Sequence, residues 1–180
     1  MKYTIIFVLL SLLPLTTQAS TDISMPLAED EGWAIIAIYS KGYAEKIELS
    51  GSGFGNNHTF GPLDYSQEFQ IVKLKAGKYS WERVIKKVGE NGRQKSDFSH
   101  LDLNFEITAG NLNYVGLFMY ESNGSTFSAK ILNRTSIILS ILKQDFPQYL
   151  KKYDVVNGIY PSDRYIDFFL NNSKAILAGE

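Results

Sequence analysis

A serine, a histidine and two aspartates stand together in residues 97–102, DFSHLD. These side-chain types form nucleophilic triads, in which a histidine takes the proton of an attacking serine. Neighbouring residues of an extended segment point to opposite faces, so Ser99 and His100 are poorly placed to exchange a proton. The chain also has no Gly-x-Ser-x-Gly turn that would present a nucleophile. We therefore interpret the segment as a solvated turn and assign no catalytic residue.

Cofactor and metal sites find little support in the residue types available for them. Residues 51–55, GSGFG, superficially match a phosphate-binding loop, but a dinucleotide fingerprint needs its third glycine where Asn56 stands. His58 and His100 are the only histidines and there is no cysteine, which leaves few ligands for zinc. Aspartates that could bind calcium are scattered along the chain. We expect no cofactor and no bound metal.

Aromatic residues make up 13% of the chain and suggest a different kind of site. Most of them alternate with polar residues in strand-like segments, which is typical of core positions. Phe54 and Phe60 differ, because they lie in a Gly- and Asn-rich loop without strand periodicity. Exposed aromatic side chains on a loop form a binding surface for a sugar or a protein, unless they fold back over the edge of the sheet. We predict a binding site at Phe54, Asn57, His58 and Phe60.

Residues 1–19 have the three parts of a secretory signal peptide. Lys2 precedes an apolar run that ends at Leu15, and small or polar residues lead to a cleavage site after Ala19. The run is shorter than the roughly 20 residues of a membrane-spanning helix, and the chain lacks the cysteine that a lipid anchor requires. We expect export to the periplasm of a Gram-negative bacterium, with secretion to the medium as the alternative, and no stable membrane insertion.

The mature chain is predicted to be mainly β, with an antiparallel β-sandwich in residues 32–134. Residues 20–31 are too polar to pack as a strand and are interpreted as a flexible lead-in. Short runs rich in β-branched and aromatic residues then alternate with glycine-containing turns, as in a sandwich. The sequence Asn123-Gly124 is the strongest hairpin signal. About seven strands are expected, at residues 33–40, 45–49, 68–74, 79–88, 101–107, 112–120 and 126–132.

Residues 135–180 are predicted to form a helical extension packed on the sandwich. Ile138, Leu142 and Phe146 recur at three- and four-residue spacing, which places them on one face of a helix. A helix this short is marginal alone in water, so the stripe should be buried. The β-branched residues of 135–142 also suit a strand, and the sequence leaves that alternative open.

Two further short helices are predicted after this one. Proline is tolerated in the first turn of a helix, so Asp145 is expected to cap a second helix with Pro147 among its first residues. A last helix is predicted to begin at Ser162 or Asp163. Its apolar stripe would consist of Tyr165, Phe168 and Phe169.

Two segments repeat a hydrophobic strand, a small-Gly turn and a tyrosine-bearing strand, namely residues 72–79, VKLKAGKY, and residues 105–116, FEITAGNLNYVG. This pattern resembles families of bacterial periplasmic proteins and lipoproteins with a transthyretin-like, or carboxypeptidase-regulatory-like, sandwich. The resemblance covers residues 33–153 and implies an Ig-like or transthyretin-like β-sandwich followed by a helix with a Phe-Pro step. Its motifs are turn chemistry, so it implies no catalytic residues, and the absence of cysteine prevents transfer of the lipid anchor.

Charge and composition restrict the partners. The chain has 18 basic and 19 acidic residues without a long run of either sign, so a nucleic-acid partner is not expected. We predict a non-enzymatic binding or interaction module of the cell envelope, whose partner is an envelope protein or polymer. A periplasmic hydrolase with an unidentified carboxylate site is the alternative. A pocket holding a carboxylate of shifted pKa would favour the hydrolase, and a shallow aromatic patch would favour binding.

Overall fold

The computed structural model describes residues 23–53, 55–90, 92–123 and 126–159, together with Ile166 and Phe168. The predicted signal peptide lies outside the described residues. Within them the protein is mainly β, as predicted. The elements are β1 (Glu31–Lys41), β2 (Tyr43–Ala44), β3 (Lys46–Gly51), β4 (Asn57–Phe60), β5 (Leu63–Asp64), β6 (Gln67–Lys75), β7 (Gly77–Val88), β8 (Gly92–Asp97), β9 (Asn104–Ile107), β10 (Leu112–Asn123), β11 (Thr126–Leu132), α1 (Thr135–Asp145), α2 (Pro147–Lys152) and β12 (Val155–Asn157).

The strands form two larger sheets and one short ladder. The first sheet has the order β11-β10-β1-β6, with β12 beside β10, and the second has the order β4-β3-β7-β8, with β9 beside β7. Strands β2 and β5 form the separate ladder. The prediction of a purely antiparallel fold is wrong for the first sheet, because β1 and β12 both run parallel to β10. Between β1 and β10 the chain builds the second sheet, and a crossover of this length allows the parallel return.

Strand β1 is apolar on both faces because each face contacts a different core. Ala34, Ile36 and Ile38 belong to the sandwich core between the two larger sheets. Trp33 and Ile35 belong to a second core, the helix-side core, on the outer face of the first sheet. A strand buried on both faces reads as a continuous hydrophobic run. The sandwich core also contains Ile47, Leu49, Trp81, Phe105 and Phe118.

Two irregularities change which residues face the sandwich core. In the pairing of β3 with β7, Glu48 lies opposite Arg83 and Leu49 lies opposite Trp81, so Glu82 is an extra residue on β7. Such a bulge shifts the alternation by one residue. Simple alternation along residues 79–88 would place Arg83 on the same face as Trp81, but because of the bulge Val84 is the next buried residue after Trp81.

The second irregularity lies in β10 at Gly116. The register between β1 and β10 shifts there, and Gly116 has a φ of 80°, in the left-handed region that favours glycine. Tyr114 belongs to the helix-side core, and Val115 and Phe118 belong to the sandwich core. The bulge keeps large apolar residues on both faces of the strand.

Residues 135–142 form part of a helix, which decides between the two alternatives. The buried residues of α1 include Ile138, Leu139 and Leu142, and they pack in the helix-side core. Pro147 is the first residue of α2, as predicted, but the residue that precedes the helix is Phe146 and not Asp145. The two helices thus cover part of the outer face of the first sheet.

The remaining predictions concern the ends of the mature chain. Residues 23–30 contain no strand, and Ile23 and Leu27 pack against the helix-side core. The start of the predicted last helix lies outside the described residues. Two residues of the predicted helix are described. Ile166, which is not part of the predicted stripe, is buried, whereas Phe168, which is part of it, is exposed.

Candidate functional site

The described residues of the predicted binding site, Asn57, His58 and Phe60, lie on β4, a strand at the edge of the second sheet. Phe54 lies outside the described residues. Asn57 is exposed, and its Oδ1 accepts a hydrogen bond of 3.1 Å from Ser50 Oγ on the neighbouring strand. His58 is half-buried with its ring 6.4 Å from that of Tyr79, and burial lowers the pKa of the imidazole.

Phe60 is part of the sandwich core. Its side chain is only 7% exposed, and its ring centroid lies 5.5 Å from that of Trp81. Strand alternation on β4 turns His58 and Phe60 inward and Asn57 outward. The structure therefore brings the described residues of the predicted site together on one short strand, but it does not present Phe60 to solvent.

The segment that contains Ser99 and His100 is an exposed turn. The backbone N–H and the hydroxyl of Ser99 both donate to Oδ1 of Asp97, at 2.9 and 2.5 Å, and these bonds lower the pKa of the Asp97 carboxyl. A serine nucleophile would instead donate to a histidine. The arrangement is the side-chain-to-backbone hydrogen bonding of an Asx turn, which agrees with the interpretation as a solvated turn.

Among the described residues, no group of three or more His, Asp or Glu side chains could hold a metal ion. The described helices include none that is both long and apolar enough to cross a bilayer.

Glu68 is a second carboxylate with a shifted pKa, and a raised carboxyl pKa is a feature of many functional sites. Burial raises the pKa of Glu68, while a hydrogen bond from Gln70 Nε2 acts in the opposite direction. Both side chains lie, by alternation, on the face of β6 that also carries Leu74 of the sandwich core. The Oε2 atom of Glu68 is buried and has no hydrogen-bond partner among the described residues. Glu68 thus stands without a second acid or base among its described partners.

A shallow cleft of about 510 Å³ lies where β1 ends, beside the β10–β11 hairpin. Tyr65 and Phe127 are the aromatic residues of this surface, which we call the aromatic cleft. They are 72% and 40% exposed, respectively. The residues that line the aromatic cleft are Lys41, Tyr65, Glu121, Ser122, Asn123, Thr126, Phe127 and Ser128.

Tyr65 occupies an unfavourable backbone conformation in the connection between β5 and β6. Its φ is 43°, in the left-handed region, which costs an L-residue roughly 1–2 kcal/mol. The turn is fixed by Ser66, whose Oγ accepts a hydrogen bond from the Asp64 N–H and whose carbonyl accepts one from the Ser40 N–H. The backbone is therefore held in a strained conformation that points a largely exposed ring into the cleft surface.

The Phe127 side chain packs against the sandwich core and is partly exposed to solvent. Its ring centroid lies 5.7 Å from that of Phe98, which is completely buried in the sandwich core. It pairs across the hairpin with Ser122, whose Oγ accepts a hydrogen bond from Lys86 Nζ. The contact with Phe98 and the pairing of β11 with β10 thus fix the position of the Phe127 ring.

The polar groups of the cleft can donate and accept hydrogen bonds in several directions. Lys41 Nζ lies 3.8 Å from Glu121 Oε1, at the edge of ion-pair distance, so each keeps capacity for another partner. Ser128 lies opposite Glu121 in the ladder, and Thr126 lies opposite Asn123. Two exposed aromatic faces beside hydroxyl, amide and charged groups can bind a ligand that is apolar on one side and polar at its edge.

Neither aromatic residue of the cleft is among the predicted binding residues. Phe127 falls in the predicted strand 126–132, where an aromatic residue is typical of a core position. Tyr65 lies between the short, unpredicted strand β5 and strand β6, which contains the predicted strand 68–74. Its neighbours Asp64 and Ser66 are common in turns, but they do not reveal its φ. The hairpin signal at Asn123 was the only sequence feature near this site.

Comparison with known proteins gave no match, since no family model, no curated protein and no solved structure matches this chain.

Proposed function

We propose that the protein is an exported, non-enzymatic binding module of the cell envelope and that its aromatic cleft binds a saccharide polymer. The observation that carries this proposal is the exposed, conformationally strained Tyr65. A glycine at this position would avoid the steric cost, and the exposed ring gains little from packing. Strain of this kind clusters at functional sites.

A saccharide matches the composition of the aromatic cleft. Sugar rings have apolar C–H faces and hydroxyl groups around the edge. The rings of Tyr65 and Phe127 suit the faces, and the Lys41, Glu121 and Asn123 side chains suit the hydroxyl groups. The cleft is shallow and open, as binding along an extended polymer requires. A polymer of the envelope is the partner that export to the periplasm would make available.

Binding is favoured over hydrolysis by the number of carboxylates. Glycosidases generally use two carboxyl groups on opposite sides of the scissile bond. Of the described residues that line the aromatic cleft, Glu121 is the single carboxylate, and it lies close to Lys41. Glu68, whose pKa is raised, does not line this cleft.

Co-sedimentation of the mature chain, residues 20–180, with purified peptidoglycan sacculi tests the proposal. We expect saturable binding that Tyr65→Gly and Phe127→Ala each weaken by roughly tenfold or more, as for aromatic residues at the centre of an interface. Tyr65→Gly removes the ring and relieves the strain, so its melting temperature should equal or exceed that of the wild type. A structural role for Tyr65 would instead lower the melting temperature.

Tyr43→Ala is the matched control, because Tyr43 is also an exposed tyrosine, at 38%, but does not line the cleft. It should bind sacculi as the wild type does. Absence of binding by the wild type, or equal binding by the wild type and Tyr65→Gly, would refute the proposed function.

A further inference from the structure

A second concave surface, distinct from the aromatic cleft, lies on the outer face of the first sheet beside α1. It encloses about 610 Å³, within the range of small-molecule sites. One wall is formed by Ile137, Ile138 and Ile141 of α1. We call this surface the helix-side groove.

The floor of the helix-side groove crosses four strands of the first sheet. In the strand register, Leu132 lies opposite Leu117, Leu117 opposite Ala37, and Ala37 opposite Phe69. All four residues line the groove. Three strand spacings of about 4.8 Å make this apolar row roughly 14 Å long. The groove is therefore long and narrow, with an aliphatic and aromatic floor.

A second row runs parallel to the first and ends in polar groups. Met119 lies opposite Tyr39, which lies opposite Gln67 at the β6 edge. Ile38 and Glu68 also border the groove. Alternation directs their side chains to the opposite face of the sheet, where Ile38 packs in the sandwich core. The uncharged Tyr39 and Gln67 thus form one end of the groove.

Arg134 lies at the opposite end, next to Leu132. Its backbone N–H donates a hydrogen bond of 2.5 Å to the hydroxyl of the buried Tyr114, and the following N–H, of Thr135, donates to Asn133 Oδ1. These bonds fix the backbone from which the guanidinium extends. Among the described residues Arg134 has no ion-pair partner, and the first turn of α1 contains no acidic residue. Within the described part of the chain, the cationic end of the groove therefore has no counter-charge.

We propose that the helix-side groove binds an amphiphile with one unbranched aliphatic chain and a carboxylate, the carboxylate on Arg134 and the chain along the row from Leu117 to Phe69. A guanidinium binds a carboxylate through two parallel hydrogen bonds. The apolar row buries the chain, and burial of apolar surface supplies the remaining affinity.

An aliphatic chain fits the groove better than a peptide does. The backbone groups of the floor are paired within the sheet, so a peptide lying across it would leave its own amides without partners, at a substantial cost. An aliphatic chain has no such groups between its head and its end. The only charge that it must satisfy is the carboxylate, for which Arg134 is available.

Titration calorimetry of the mature chain with dodecanoate, below its micelle concentration, tests the proposal. We expect one site per chain. Arg134→Gln should weaken dodecanoate by roughly 10- to 100-fold, the loss expected for a hydrogen bond to a charged group. Dodecan-1-ol, which has the chain but no carboxylate, should bind the wild type weakly. Its affinity for Arg134→Gln should be the same as for the wild type. Lys95→Gln, which removes an exposed cation of the second sheet, should bind dodecanoate as the wild type does.

Ile137→Glu provides a second variant that the fold should tolerate, because this side chain is 55% exposed. It places a carboxylate on the wall one helical turn from Arg134 and should abolish dodecanoate binding without lowering the melting temperature. The proposal is overturned if the wild type does not bind dodecanoate, or if both variants bind it as the wild type does. Equal affinity for dodecan-1-ol and dodecanoate would show that Arg134 does not bind the head group. Retained sacculus binding by both variants separates this site from the aromatic cleft.

Discussion

The Leu139→Ala substitution tests whether α1 is held by the first sheet. Leu139 is completely buried in the helix-side core, which also contains Trp33 and Tyr149. A helix of 11 residues is marginal alone in water. The helix should therefore depend on the packing of Leu139 and its neighbours.

The expected cost follows from the burial of the side chain. Leucine-to-alanine changes in protein cores cost about 2.7–5 kcal/mol, depending on how far the cavity collapses. Alanine is at least as good a helix former as leucine, so the helix itself is not penalised. We expect about 3 kcal/mol, near the lower limit, because an outer layer can relax toward the cavity. For a chain of this size that free energy corresponds to a fall in melting temperature of roughly 6–12 °C.

Urea denaturation of the mature chain, followed by far-ultraviolet circular dichroism, measures the change in the free energy of unfolding. The m-value should stay constant, since the surface exposed on unfolding changes little. Ile137→Ala is the matched control on the same helix, because Ile137 is 55% exposed, and it should cost less than about 1 kcal/mol. If Leu139→Ala costs no more than Ile137→Ala, α1 is not packed on the sheet and the helix-side core does not exist as described.

Two further predictions concern a backbone position and a buried carboxylate. Gly116→Ala should lower the free energy of unfolding, measured in urea, by about 2–5 kcal/mol. A Cβ at this position would clash with Ile131, and the positive φ disfavours alanine. Gly110→Ala is the control, because Gly110 also has a positive φ but has open space around it; it should lower the free energy of unfolding clearly less. Because burial raises the pKa of Glu68 in the native state, the native protein binds its proton more tightly than the unfolded chain, and stability should fall as the pH rises through the glutamate range. Glu68→Gln should remove this loss, so the free energy of unfolding of the variant should match that of the wild type at low pH and exceed it above the glutamate range. The exposed control Glu106→Gln should keep the pH dependence of the wild type. A constant difference between Glu68→Gln and the wild type across the pH series would contradict the assignment to Glu68.

The long strands could be predicted from sequence because they are rich in β-branched and aromatic residues and are bounded by turn residues. Residues 68–74 lie within β6, and the hairpin predicted at Asn123 joins β10 to β11. Strand β8 could not be predicted, because its sequence GRQKSD has low strand propensity and is extended only through pairing with β7. The bulge opposite Glu48 could not be predicted either, since an extra residue is visible only in the register of two strands.

The candidate site was less predictable than the fold. A Gly- and Asn-rich composition correctly indicates an irregular segment before β4, but the pairing of β4 with β3 decides that Phe60 points inward. The exposure of Phe127 depends on its position in an edge strand, which is a property of the topology. The turn that exposes Tyr65 is held to β1 by the hydrogen bond from the Ser40 N–H to the Ser66 carbonyl. In each case the deciding contact is nonlocal.

The helix-side groove follows from a difference in length between the helices and the strands that they cover. Eleven residues of α1 extend about 16 Å, whereas the eleven residues of β1 extend about 36 Å. One helix therefore cannot cover the whole outer face of the first sheet. The residues left beside it are nevertheless apolar, among them Ala37, Leu117 and Met119. A surface that only faced water would gain nothing from these side chains, but a surface that binds an aliphatic chain requires them. The proposed aliphatic ligand would therefore account for the apolar residues that the described helices leave beside them.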